Sequence, residues 1–221
     1  MVKLGNKQSY LSRLSRHIRK HPIGLMGGSF NPAHHGHLEI AQIARKQAKL
    51  REVWWLVSPQ NPLKKNTDMM SFEQRLTNAK NLASHIPWLK VLDYEYQLQK
   101  AKCYPKNRAS SIITLTHLCR QFPATPFVWI MGADNLIQFS HWKNASKIAQ
   151  LVDIFVMNRP EFTYHALASR SVTLLGTRGS SHLLGRVDKY TNKRNWAYSF
   201  STRNPISATN IRETFHKNHR N

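Results

Sequence analysis

From residue 22 onward, short β-rich runs alternate with amphipathic helical ones, and this alternation restricts the fold more than any other feature of the chain. Parallel strands joined by crossover helices are the arrangement that satisfies it. Strands are predicted over 23–26, 53–57, 90–92, 127–131, 154–157 and 172–175, and helices over 35–49, 71–85, 110–121, 144–150 and 208–217. Ser71, followed by Phe72, Glu73 and Gln74, reads as a helix N-cap with Gln74 in the capping-box position. Ser58-Pro59-Gln60-Asn61-Pro62 and the Gly/Ser/Asn-rich stretch 176–195 read as loops. No repeat or low-complexity segment interrupts the pattern, so the expectation is one α/β domain over 22–221 behind a basic extension, 1–21.

Charge narrows the partners. The chain carries 33 Lys and Arg against 11 Asp and Glu, a formal net charge of +22, which favours anionic ligands and says little about fold. The extension holds Lys3, Lys7, Arg13, Arg16, Arg19 and Lys20 without an acid, while Tyr10, Leu11, Leu14 and Ile18 recur at helical spacing. A solvated N-terminal helix, a tail touching nucleic acid or membrane, and an organellar transit peptide all fit that pattern, the first best. No apolar run approaches the ~18–20 residues of a membrane helix. Two cysteines, Cys103 and Cys119, are too few for a disulfide scaffold or a four-cysteine zinc site, so a reducing cytoplasm is expected.

The first strand runs into Gly27-Gly28-Ser29-Phe30-Asn31-Pro32-Ala33-His34-His35-Gly36-His37, after which an amphipathic helix begins. Glycines at such a turn let the backbone approach a ligand, and the N–H groups of the first helical turn favour phosphate. The spacing is neither that of a P-loop nor G-x-G-x-x-G. His34 and His37, three apart, share one side of a helical turn. They are open to three readings: zinc ligands lacking evident third and fourth partners, ordinary capping or core histidines, or N–H donors to a phosphoryl group in transfer. The glycine turn favours the last. Near the C-terminus, Ser207 and Thr209 are N-cap types with Arg212 in the first turn of a helix, so hydroxyls, backbone N–H groups and a guanidinium converge on one anion, or simply cap the helix.

The first segment resembles the G-G-[ST]-F-[DN]-P-x-H-x-G-H motif of the nucleotidyltransferase superfamily, in particular bacterial nicotinate mononucleotide adenylyltransferases. Ile206-Ser207-Ala208-Thr209-Asn210-Ile211-Arg212 is similar to its I-S-x-T-x-I-R motif, and Met131-Gly132-Ala133-Asp134-Asn135 with Trp142 and Arg159-Pro160 resembles the pyridine-nucleotide branch. The resemblance runs from about Ile23 to Phe215 and implies a Rossmann-like open parallel sheet flanked by helices. It implies adenylyl transfer from ATP to nicotinate mononucleotide, giving the deamido dinucleotide and pyrophosphate, with Mg²⁺ held mainly by the substrate phosphates and no metal site of the protein's own. It further implies that Gly27, Gly28, Ser29, Phe30, His34, His37, Lys64, Ser207, Thr209 and Arg212 bind ATP, with His34, His37 and Arg212 catalytic. Asn31, Asp134, Trp142 and Arg159 would bind the mononucleotide. The chain departs from the family at Pro59-Gln60-Asn61-Pro62-Leu63-Lys64-Lys65, where Lys65 competes with Lys64, and at Ala109-Ser110-Ser111, which lacks the usual aromatic hydroxyl.

The attacking group in such a transfer is a phosphate monoester, ionised near neutrality, so no general base is required. No Ser/His/Asp or Cys/His arrangement is evident. The other expectations are a relative with a different phosphorylated acceptor, nicotinamide mononucleotide foremost, and a catalytically inactive basic nucleic-acid-binding protein. The charge favours the latter, whereas the scattered Lys and Arg without a recognition motif disfavour it.

Overall fold

The computed structural model describes residues 21–59, 69–104, 110–185 and 194–200. Six strands, β1 (Ile23–Gly28), β2 (Glu52–Val57), β3 (Leu89–Leu92), β4 (Phe127–Gly132), β5 (Asp153–Met157) and β6 (Trp196–Ser199), form one sheet in the order β3-β2-β1-β4-β5-β6. Every pairing is parallel. This is the Rossmann-type order, in which the chain leaves β1 to one side, builds β2 and β3, and returns to the other side at β4. A crevice therefore opens beyond the carboxyl ends of β1 and β4, where the connections part.

Helices cover both faces, so the strands read as nearly continuous apolar runs. Period-two alternation divides them: Leu25, Trp54, Trp129, Ile154 and Trp196 enter one core cluster, and Met26, Val53, Trp55, Val128, Ile130 and Phe155 the other. Against the second face pack α1 (His35–Gln47), through Ala41 and Ala44, and α2 (Phe72–Ala83), through Ala79 and Ala83. The first face takes α3 (Tyr94–Lys100), α4 (Ser111–Gln121), α5 (Ala133–Phe139) and α6 (Ala145–Leu151), with Leu98, Leu115, Leu118, Leu136, Phe139 and Ile148 turned inward. Two short helices, α7 (Thr163–Leu167) and α8 (Arg170–Leu175), follow β5. The capping box at Ser71 is present, with Gln74 N–H donating to Ser71 Oγ at 3.2 Å and Ser71 N–H to Gln74 Oε1 at 3.0 Å.

One predicted strand is corrected. Residues 172–175 lie within α8, and the sixth strand is Trp196–Ser199. Valine, threonine and leucine there favoured an extended reading, but Ser169 in extended conformation starts the helix and Gly176, at φ +75°, ends it. Buried Ser171 fixes it by accepting the Ser140 N–H at 2.9 Å. The predicted helix at 208–217, the basic extension before His21 and the segment with Lys64 and Lys65 lie outside the described residues.

Candidate active site

At the carboxyl end of β1, Gly27 is a packing requirement: a β-carbon there would come within 2.6 Å of the Trp129 ring on β4. Phe30 then turns the chain at φ +47°, in the left-handed region that costs a bulky residue energy and needs firm support. Support comes from the Trp55 ring, stacked at 4.9 Å and 26°, and from the His37 ring at 4.9 Å. Phe30 is fully buried, so what it offers a ligand is its backbone and its support of His37.

His34 and His37 form the capping box that starts α1. His34 Nδ1 accepts the Gly36 N–H at 3.1 Å, and His37 Nδ1 accepts the His34 N–H at 3.2 Å. Their ring centroids are 3.8 Å apart. The capping and ligand-facing readings are therefore compatible, because each ring caps with one nitrogen. A Nδ1 that accepts an N–H carries no proton, so the proton of each neutral ring sits on Nε2 as a donor. Burial, then the charges of Arg159 and His35, hold His34 down at about 4. Burial, then His34 and Arg159, take His37 to about 3. Both imidazoles are neutral at physiological pH. Each Nδ1 lone pair is engaged by a backbone N–H, and among the described residues no group of three His, Cys, Asp or Glu side chains that could hold a metal ion occurs.

Across the crevice, Asp134 in the first turn of α5 meets Arg159 after β5, with Oδ2 3.3 Å from Nη1. The register that sets Gly132 beside Met157 brings them together. Both are about one-third exposed, so the pair is open to a ligand. Trp142 is half-buried, its ring edge-on to Trp129 at 6.3 Å and to Phe139 at 5.5 Å. Through Trp129 it is tied to Gly27. Asn31 is buried and its Oδ1 accepts the Met70 N–H at 3.0 Å. Of the residues expected at the site, the structure thus gathers Gly27, Gly28, Ser29, Phe30, Asn31, His34 and His37 on the β1 side and Asp134, Arg159 and Trp142 on the β4–β5 side. Lys64, Ser207, Thr209 and Arg212 lie outside the described residues.

Sequence reasoning missed Arg75. Its side chain is 1% exposed and bonds four main-chain carbonyls: Ser29 at 2.5 Å and Ser58 at 2.8 Å from Nη1, Pro59 at 2.9 Å from Nη2, and Met70 at 3.1 Å from Nε. In the sequence it looks like any helix-surface arginine. The signal available was its place at the head of the buried stripe Arg75, Ala79, Ala83, four residues apart.

Residues 25–214 match the cytidylyltransferase-like family. A protein of Parvibaculum lavamentivorans described as a probable nicotinate-nucleotide adenylyltransferase is 45% identical over 153 residues, which are 69% of this chain and 72% of that one. A Ruegeria protein of the same description is 35% identical over 195 residues, 86% of this chain and 96% of that one. The fold is shared with a Plasmodium falciparum nicotinic acid mononucleotide adenylyltransferase solved with NaAD: TM-score 0.62, 13% identity, covering 88% of this chain and 83% of that one. A Vibrio parahaemolyticus structure described as a putative nicotinate-nucleotide adenylyltransferase gives TM-score 0.54 at 13% identity, over 90% of this chain and 89% of that one.

Proposed function

The chain belongs to the cytidylyltransferase-like family, among its nicotinate-nucleotide adenylyltransferases, and from that premise we propose that it transfers the adenylyl group of ATP to nicotinate mononucleotide. The observation that carries the reading is the histidine pair at the β1 crevice, two neutral rings that cap α1 with Nδ1 and keep Nε2–H as donors.

A phosphate oxygen of the mononucleotide attacks the α-phosphorus, the α–β bridging bond breaks, and pyrophosphate leaves. The attacking group is already an anion, so the protein's task is to orient the partners and neutralise charge. His34 and His37 supply fixed N–H donors to the α-phosphoryl oxygens, where charge grows in the transition state. Being neutral, they donate without giving up a proton, and the N-terminus of α1 adds its backbone dipoles. The Gly27-Gly28-Ser29 backbone lines the triphosphate. Ser207, Thr209 and Arg212 take the β- and γ-phosphates, with Lys64 as a further cation for the triphosphate. Magnesium, brought in with ATP as part of the substrate, would supply charge neutralisation to the phosphates. Asp134 accepts from a ribose hydroxyl of the mononucleotide, Trp142 offers a flat face to the pyridine, and Arg159 stands near the mononucleotide phosphate. Position of label tests the bond broken: α-labelled ATP should pass its label to the dinucleotide and γ-labelled ATP to pyrophosphate. Label from the γ position in the nucleotide product would refute the assignment.

A further inference from the structure

We propose that Arg75 is a positioning residue for the triphosphate half of the site, joining the glycine turn after β1, the loop after β2 and the entry to α2 into one rigid support. The inference rests on the adenylyltransferase reading of that crevice. Ser29 closes the glycine turn, Ser58 and Pro59 lead into the segment that carries Lys64 and Lys65, and Met70 precedes the N-cap of α2. Each of these segments ends with a carbonyl on the one guanidinium, two on Nη1, one on Nη2 and one on Nε. Those bonds use four of the five N–H donors that a guanidinium holds in a fixed plane. A lysine has three donors on a single nitrogen and cannot span them. Phe72 lies under the guanidinium, its ring centroid 5.7 Å from Cζ, and helps to fix the plane.

Main-chain carbonyls make Arg75 structural in appearance. The reason to assign it more is where they lie. Ser58 is held from a second side, because its hydroxyl also serves the buried Glu95 carboxyl, which accepts from Thr114 Oγ1 at 3.0 Å. The end of β2 is thus fixed by two buried groups on two helices, one on each face of the sheet. Among the described residues nothing comparable holds Asp134 and Arg159, which follow β4 and β5 and make a pair about one-third exposed. Loss of the Arg75 geometry therefore loosens the triphosphate side, reaches the mononucleotide only through Asn31, whose Oδ1 accepts the Met70 N–H, and leaves Asp134, Trp142 and Arg159 in place. A purely structural arginine gives no such asymmetry.

The experiment is steady-state kinetics of the full-length wild-type and Arg75→Lys proteins, varying ATP and nicotinate mononucleotide separately well below the melting temperature. The expected result is a KM for ATP raised at least about tenfold, a lowered kcat, and a mononucleotide KM within about twofold of wild type. Unchanged constants, or equal rises in both KM values, would overturn the proposal. If the wild type forms no dinucleotide, the functional reading itself has failed; if it does and the variant shows no split, only the role of Arg75 has. Should Arg75→Lys not fold, the wild-type Arg75 Nε–H resonance decides: a shift with a non-hydrolysable ATP analogue but none with the mononucleotide is expected, and no shift with the analogue would overturn the assignment.

Discussion

On the proposed reading His34 has two jobs, one for each ring nitrogen, and they are separable by substitution. Asparagine keeps an acceptor for the Gly36 N–H and is among the best N-caps, so His34→Asn should change stability by about 1 kcal/mol or less. It removes the Nε2–H donor, and losing a donor aimed at transition-state charge costs about 10²–10³ in turnover. Thermal melts beside steady-state rates check this, and a variant that melts normally yet keeps more than a tenth of wild-type turnover would contradict it. Titration makes a second residue-scale prediction, with two opposite signs. His37 falls from 6.5 to about 3 on folding, so the unfolded chain binds the proton first; stability is complete above pH 6.5 and is lost on acidification towards 3. Glu95 rises from 4.5 to about 7 through burial, so its contribution is complete below pH 4.5 and is lost as pH climbs through 7. Denaturant midpoints should fall less steeply on acidification in His37→Gln than in wild type. In Glu95→Gln they should fall less between pH 5 and 8.

At the scale of elements, β6 is secured by a buried carboxylate. Asp153, at the start of β5, accepts the Gly185 N–H at 2.6 Å and the Asn195 N–H at 2.9 Å, closing the chain before Trp196 pairs with Ile154. An amide oxygen satisfies one of these donors and the amide nitrogen opposes the other, so Asp153→Asn should cost about 2 kcal/mol in urea unfolding with activity per folded molecule unchanged. Segments with an apolar run and a punctuating cap were legible in the sequence, which is why β1 to β5 and the helices at His35, Ser71, Ser110 and Asn144 stand within a few residues of expectation. The strand Trp-Ala-Tyr-Ser was not, being four residues long with no branched run; its identity comes from pairing with β5. Nor were α3 and α5, which start within two residues of the end of a strand, with no loop between to punctuate the change of period. The site was legible where chemistry needs particular side chains in a short motif, as at Gly27 to His37. Arg75 was hidden because its partners are carbonyls up to 46 residues away, which no local pattern records.

For the molecule as a whole, the +22 charge suits two anionic substrates but does not choose between acceptors, since such fields are screened beyond ~8 Å at physiological salt. Among the described residues no helix is long and apolar enough to cross a membrane. Choice of acceptor must come from donors fixed close to the pyridine substituent, where an amide in place of a carboxylate sets N–H against N–H. Sites that hydrogen-bond a substrate group reject its mismatched analogue strongly, so discrimination of at least ~10²-fold follows. The direct test of the account is kcat/KM for nicotinate mononucleotide and for nicotinamide mononucleotide at saturating ATP, with the dinucleotide and pyrophosphate both quantified. The account predicts equimolar products and a preference of at least ~10²-fold for the nicotinate form; equal values, or no dinucleotide from either acceptor, would contradict it.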